Sequence, residues 1–437
     1  MIVLYVENFR GFTKQYIPLK DVNFFLGENS TGKTSILALI KLFFSPDFWL
    51  NKDFNAEEYQ FGNYGDIASV NAKGIDYFRV GFISCSERQS EGEVPKSDIF
   101  LMEFREEDGI PVIYKYCCIQ GLNVFQSLFA NKTIKYWISK IEYGKKPLKA
   151  IKQTFESWLV SDLNEANFKK LKKPPSGYKE MPDGILMSNM LSGLMKKDKY
   201  LQYNLNGFDF VKEVVWIAPL RSKPKKTYDQ INFVFSSEGE HTPFLIRKIL
   251  KDKNSELSQK FLKSLKEYGE ESGLFKDIEI NSFGEHPASP FELKIVTEDK
   301  SLNVCNVGYG VNQSLPVLVE LFARPKNIWY AIQQPEVHLH PRAQAALGDV
   351  FFNVALKEKK RFFIETHSDF IVDRFRLNVN KNKDCGIESQ VIFFEQKNGV
   401  NTAQSIEILP DGKYQEGMPE SFYSFFIKED LSILRLQ

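Results

Sequence analysis

Cysteine and histidine are both scarce in this 437-residue chain, five of each. Cys85, Cys117, Cys118, Cys305 and Cys385 are odd in number and form no C-x-x-C pair, which points away from a disulfide framework. With no secretory leader pattern at the start, the expectation is a reducing, cytoplasmic setting. No apolar run approaches the roughly 20 residues that a bilayer-spanning helix needs, so no membrane partner is expected. Net charge is nearly absent too: 57 basic against 56 acidic residues give +1, which excludes a grossly polyanion-binding composition while leaving local patches open. There is no internal repeat, no low-complexity tract, and no heptad run long enough for a coiled coil.

What the chain does have is 43% hydrophobic content, ample for one large core or for a core plus a sizeable insertion. It also has one loop of high specificity. An apolar run from Val22 leads into Gly27-Glu-Asn-Ser-Thr-Gly32-Lys33-Thr34, followed by the helix-like SILALIKLFF. This is the G-x-x-x-x-G-K-[ST] phosphate loop in its strand–loop–helix context. Its glycines let backbone N–H groups wrap a phosphate, and the helix N-terminus adds positive potential. Lys33 is placed for the β- and γ-phosphates and the Thr34 hydroxyl for Mg²⁺. A nucleoside triphosphate with Mg²⁺ is the expected ligand.

Around that loop the pattern alternates. MIVLYVENFRGFTKQYIPLK reads as strands, 61–70 as a Gly-rich turn, and three segments between Ile75 and Ile119 as antiparallel strands joined at Asp108-Gly109. From about Thr133 to Tyr200 the pattern turns helical and lysine-rich: between Lys132 and Lys199 stand 15 lysines, no arginine and 7 acids. A second half opens at VVWIAPL (214–220). A helical section (Thr242–Tyr268), the short apolar strand IWYAI, a helix over 342–358 and the strand RFFIET follow, a strand–helix alternation. The expected organisation is 1–130 with the phosphate loop and antiparallel strands, 131–212 as a mainly helical insertion, and 213–437 as a second lobe.

Three further segments bear on a nucleotide site. VGYGVNQ (307–313) offers glycines leading into a helix, a second place for backbone amides to meet a phosphate. AIQQPEVHLHP (331–341) follows an apolar strand about 300 residues after the loop, and ETHSD (365–369) ends the next strand. In this order the four motifs resemble the ABC-type ATPase heads of the SMC and RecF class. They are more similar still to AAA-type ATPases related to the OLD family of prokaryotic defence loci. NFRGF (8–12) and WIAPLR (216–221) share the resemblance, which covers roughly 1–70 and 210–437.

That resemblance implies an α/β fold, an ABC-type P-loop ATPase head whose mixed sheet carries an antiparallel subdomain and a mostly helical insertion. It implies ATP as the nucleotide, with contacts from Gly27, Asn29, Ser30, Thr31, Gly32, Lys33, Thr34 and Ser35. Gly308, Gly310 and Gln313 would form the signature motif that meets the nucleotide of an opposite subunit, in a head-to-head dimer or higher oligomer. His367 would be the switch histidine, and Asn63 and Asp66 stand where a Q-loop glutamine is usual. Thr34 and Gln333 would hold the metal, with Gln334 orienting water. One departure is informative. The acid pair that normally ends the strand is Gln333-Gln334 here, and a glutamine cannot act as a carboxylate base. Glu336 or Glu365 is therefore expected to supply the missing charge, with slow hydrolysis.

The plainer readings stand beside these. His338, His340 and His367 would suit zinc by spacing, but their positions match interface turns. The lysine-rich stretch reads first as a solvated face and second as a DNA-binding surface. Cys117 and Cys118 read as buried and inert. Only about sixty-five residues follow ETHSD, with no D-x-D among them, so a Toprim nuclease domain does not fit. The expectation is an ATPase that controls a partner effector, a nuclease or toxin, in antiviral defence. The alternatives are a RecF-like DNA-repair clamp and a nucleotide-sensing scaffold with negligible turnover.

Overall fold

The computed structural model describes residues 2–51, 53–69, 74–85, 97–130, 133–141, 147–160, 167–170, 213–229, 232–252, 254–286, 288–298 and 300–424. The chain divides into two compact units. The first comprises Met1–Lys20, Glu28–Glu213 and Phe394–Gln404, the second Asp21–Gly27, Val214–Phe393 and Ser405–Gln437.

In the first unit, β1 (Ile2–Phe9) lies between β2 (Phe12–Leu19) and β4 (Tyr77–Cys85). The antiparallel series continues through β5 (Ser97–Glu107), β6 (Ile110–Gln120), β7 (Asn123–Ala130), β8 (Thr133–Lys140) and the short β9 (Lys169–Lys170). Asp108 and Gly109 both have positive φ, 53° and 79°, as the tight turn between β5 and β6 requires. Among the described residues its helices are α1 (Lys33–Phe43), α2 (Pro46–Asn51), the single-turn α3 (Tyr64–Ile67) and α4 (Pro147–Val160).

Helix α4 buries Ile151, Phe155 and Trp158 against Tyr5, Leu101 and Cys117 of the sheet. Its last carbonyls have no partner within the helix, and two buried cations take them: Lys115 Nζ donates to Trp158 O at 2.9 Å and Arg79 to Leu159 O at 3.2 Å. Arg79 also pairs with Glu7 and Glu103 at 3.1 and 2.9 Å, so the buried charge is compensated on the sheet side.

Residues 133–140 differ from the helical reading: they form a strand paired with β7. The cause is visible in TIKYWISK, where Ile134, Tyr136 and Ile138 recur at the two-residue period of a strand. Most of the lysine-rich segment, 171–212, lies outside the described residues.

The second unit is built on parallel strands in the order β10 (Val214–Ile217), β14 (Trp329–Gln333), β15 (Arg361–Glu365) and β3 (Val22–Gly27). All are mostly apolar and buried almost end to end, the pattern of a sheet covered on both faces. The chain passes between the units along β16 (Ser389–Lys397) and β17 (Val400–Ile408). The helices of the second unit are α5 (Thr242–Leu250), α6 (Glu256–Ser272), α7 (Tyr309–Ala323), α8 (Pro341–Glu358) and α9 (Asp369–Lys381). A separate antiparallel sheet has the order β11 (Asp277–Ser282), β12 (Phe291–Val296), β13 (Ser301–Asn303).

The helical section expected over 242–268 is two helices, because Ser255 starts a new one by accepting the Ser258 N–H. Helix α7 is apolar on nearly every side and correspondingly buried. Its one buried acid, Glu320, is held by His241 Nε2 at 2.6 Å and by Arg324. The α/β class, with parallel and antiparallel parts, is the class that the strand–helix alternation implied. Among the described residues no helix is long and apolar enough to cross a membrane.

Candidate nucleotide site

Strand β3 delivers the chain to the phosphate loop. Gly27 has φ 137°, Ser30 φ 64° and Gly32 φ 92°, so three turns of unusual hand fold the loop back on itself. Gly32 has two reasons to be glycine: the positive φ, and the fact that a Cβ there would lie 2.5 Å from the Phe12 ring. It caps α1 without a side chain, and the first turn of α1 holds no acid. The positive end of the helix is therefore uncompensated by protein charge, which suits an anion. Inside the loop, Thr31 Oγ1 and Lys33 Nζ both donate to Glu28 O, at 2.8 and 2.6 Å. Lys33 is buried while Asn29, Ser30 and Thr34 are exposed.

At the end of the parallel strands, Gln333 of β14, Glu365 of β15 and Phe25 of β3 stand in register. Such ends are where open α/β sheets bind ligands. Gln333 Nε2 donates to Glu365 Oε2 at 3.3 Å, and the Gln334 N–H donates to Glu365 O at 2.7 Å. Gln334 has φ 41°, turning the chain sharply off the strand. The turn continues with Leu339 N–H to Glu336 O at 2.9 Å. The Glu336 carboxylate accepts Thr366 Oγ1 at 2.8 Å and the His367 N–H at 2.6 Å. Burial pushes that carboxyl above its ordinary range, against the pull of those hydrogen bonds and of Arg221.

With a phosphate loop at the start of α1 and a buried acid in register at the strand ends, the family comparison is decisive. The model of the AAA ATPase domain family matches residues 1–372. The chain belongs to that family.

As an AAA ATPase domain the chain is an ATPase. No curated protein matches it. Among solved structures it is similar to an Smc head bound to the C-winged helix domain of ScpA, at 12% identity and TM-score 0.44 over 93% of this chain and 97% of that one. It is also similar to an Smc head domain with an extended coiled coil, bound to the C-terminal domain of ScpA, derived from Pyrococcus furiosus; identity is 12%, TM-score 0.42 and coverage 100% and 99%. For the SMC head domain from Thermotoga maritima the values are 11%, 0.38, 93% and 98%.

The remaining residues of this AAA ATPase domain sort by environment. Gly308 caps α7 and is exposed, with no acid in the first turn and open space around its Cβ position. Tyr309 is 63% exposed and its ring lies 5.6 Å from that of His338. Gly310 packs against His338 O and Leu339. Gln313, by contrast, is buried within α7, its Oε1 without a hydrogen-bond partner, so the exposed part of this motif is Gly308-Tyr309. Asn63 and Asp66 are occupied with each other: each side chain accepts the other's backbone N–H, closing the one-turn helix α3. His338, His340 and His367 are exposed, and among the described residues no group of three His, Cys, Asp or Glu is arranged to hold a metal.

One residue was not singled out by the sequence reading. Arg221 is 6% exposed and donates to Pro219 O, Gln333 O and Gln334 O at 3.1, 3.1 and 3.3 Å. Burial lowers it to about 10, against the pull of Glu336. Its signal in the sequence was an arginine two residues after the proline that follows an apolar strand, in WIAPLR.

Proposed function

We propose that the chain is a slow, nucleotide-switched ATPase. It holds ATP through Gly27 and Asn29–Ser35, and it presents the exposed Gly308-Tyr309 turn to the nucleotide of a second copy. The pair Gln333–Glu365 at 3.3 Å carries the reading on rate. An amide stands where a strand-end acid is usual, and the carboxylate that remains is one strand away. Glu365 is the group we assign to polarise water, with Gln334 beside it. Glu336, both of whose oxygens are engaged, positions His367.

Mg²⁺ fits the donor chemistry. The exposed Thr34 hydroxyl, the Gln333 amide oxygen and the Glu365 carboxylate are all hard oxygen donors, the kind this ion prefers. When bound, the metal neutralises charge on the phosphates. The protein's own part is to wrap the phosphates with backbone N–H groups, anchor them with Lys33, and place Glu365.

Control of a partner effector in antiviral defence is supported by the motif resemblance alone. Two measurements test the reading. Light scattering with Mg-ATP should show a mass about twice that of the nucleotide-free protein, and turnover should exceed that of Lys33→Ala. Purification from the native operon with ATP should bring a neighbouring gene's product with it. A monomer with ATP, or turnover equal to Lys33→Ala, would defeat the dimeric ATPase; no co-purifying neighbour would defeat effector control.

A further inference from the structure

We infer that the outer edge of β11 is a docking strand for an extended acidic peptide of a partner protein. Among the described residues, strand β11 lies at one end of its sheet and pairs with β12. The Phe283 N–H donates to Pro290 O across that pair. Backbone groups alternate in direction along a strand, so those of Ile280 and Ser282 face the other side. The N–H of Ile278, which shares that side, is covered by Asp277 Oδ1 at 2.8 Å, a local block at the start of the edge.

Along this edge runs a groove of about 880 Å³, bordered by all six residues of β11 and by side chains of α5 and α6. Phe233, Phe244 and Leu262 contribute its apolar lining. Phe233 is 57% exposed, a large apolar side chain presented at the rim. The length suits an added strand, since six residues extend about 20 Å. The charge suits an acidic one: five cations line the groove against three acids. Lys266 is paired with Asp277 at 2.7 Å and Lys294 with Glu292 at 3.2 Å. Lys248 and Lys251 are exposed at the end of α5, and Lys248 lies 5.6 Å from the Phe233 ring. Main-chain pairing to β11 would supply affinity, the apolar lining would take alternate side chains, and the two lysines would select acids between them. The assignment is independent of the nucleotide site.

The test uses the full chain and a fluorescein-labelled alternating Glu-Val octapeptide, followed by fluorescence anisotropy. Saturable binding is expected, weakened about tenfold or more by Lys248→Glu with Lys251→Glu while ATP binding is unchanged. The same peptide N-methylated on alternate backbone nitrogens keeps its charge and should fail to bind. An alternating Lys-Val peptide should fail as well. Absence of saturable binding, equal binding by the double variant, or equal binding of the methylated peptide would overturn the inference. So would displacement of the acidic peptide by an equal concentration of oligo-dT, because a general polyanion surface would then be the explanation.

Discussion

Arg221 donates to Gln333 O at 3.1 Å, a buried guanidinium bracing the end of β14 where the two glutamines stand. Pro219 O and Gln334 O share the same donor group. A lysine has one ammonium and cannot reproduce that fork. Arg221→Lys should therefore cost roughly 1.5–3 kcal/mol, the range for hydrogen bonds to a charged group. Turnover should fall as well, because Gln334 and Glu336 lose their support. Urea unfolding beside a steady-state ATPase assay checks both, and an unchanged midpoint would show that the brace is dispensable.

Gly32→Ala tests the loop geometry. The new alanine must keep φ 92° and its methyl meets the Phe12 ring, a strain of about 1–3 kcal/mol. The loop should open and ATP affinity fall, even though Lys33 and Thr34 are intact. Equilibrium binding of a fluorescent ATP analogue gives the answer.

Glu320 sets a dependence on pH. Burial pushes its carboxyl up, but the hydrogen bond from His241 and the charge of Arg324 outweigh that and hold it below the ordinary range. A depressed carboxyl contributes stability above its unfolded value of about 4.3 and loses it as pH falls through the folded one. The stability gap between wild type and Glu320→Gln should be wide at pH 7 and close below about pH 4.3. A gap that persists unchanged into acid would mean that ion pairing is not its source.

Gly308→Asp separates interface from fold. The position has φ −61° and open space for a Cβ, so the monomer should keep its melting temperature. If this turn meets a partner's phosphates as proposed, an acid there should abolish the ATP-dependent increase in mass. Light scattering of the variant with Mg-ATP reads this directly.

What could be read from the sequence depended on how local the signal was. The phosphate loop, β14 and β15 are local patterns, and each lies where its residues indicated. The strand at 133–140 was hidden because its lysines drew attention to charge, while Ile134, Tyr136 and Ile138 carried the two-residue period. Gln313 was grouped with an exposed glycine turn, yet one helical turn further along it is buried on an apolar helix, which neighbouring residues alone do not reveal. Arg221 needed the third dimension: its acceptors Gln333 and Gln334 are more than a hundred residues away, and no spacing rule connects them.

The central claim is that Glu365 supplies the carboxylate that Gln333 and Gln334 lack. The most direct measurement is single-turnover hydrolysis of ATP by wild type, Glu365→Gln and Glu336→Gln, with ATP binding measured alongside. For Glu365→Gln the account predicts retained binding and a rate lowered about 10²-fold or more, the usual scale for losing a general base. Glu336→Gln, which loses one of the two contacts to Thr366 and His367 and keeps an acceptor for the other, should fall less. A Glu365→Gln rate equal to wild type would contradict the account.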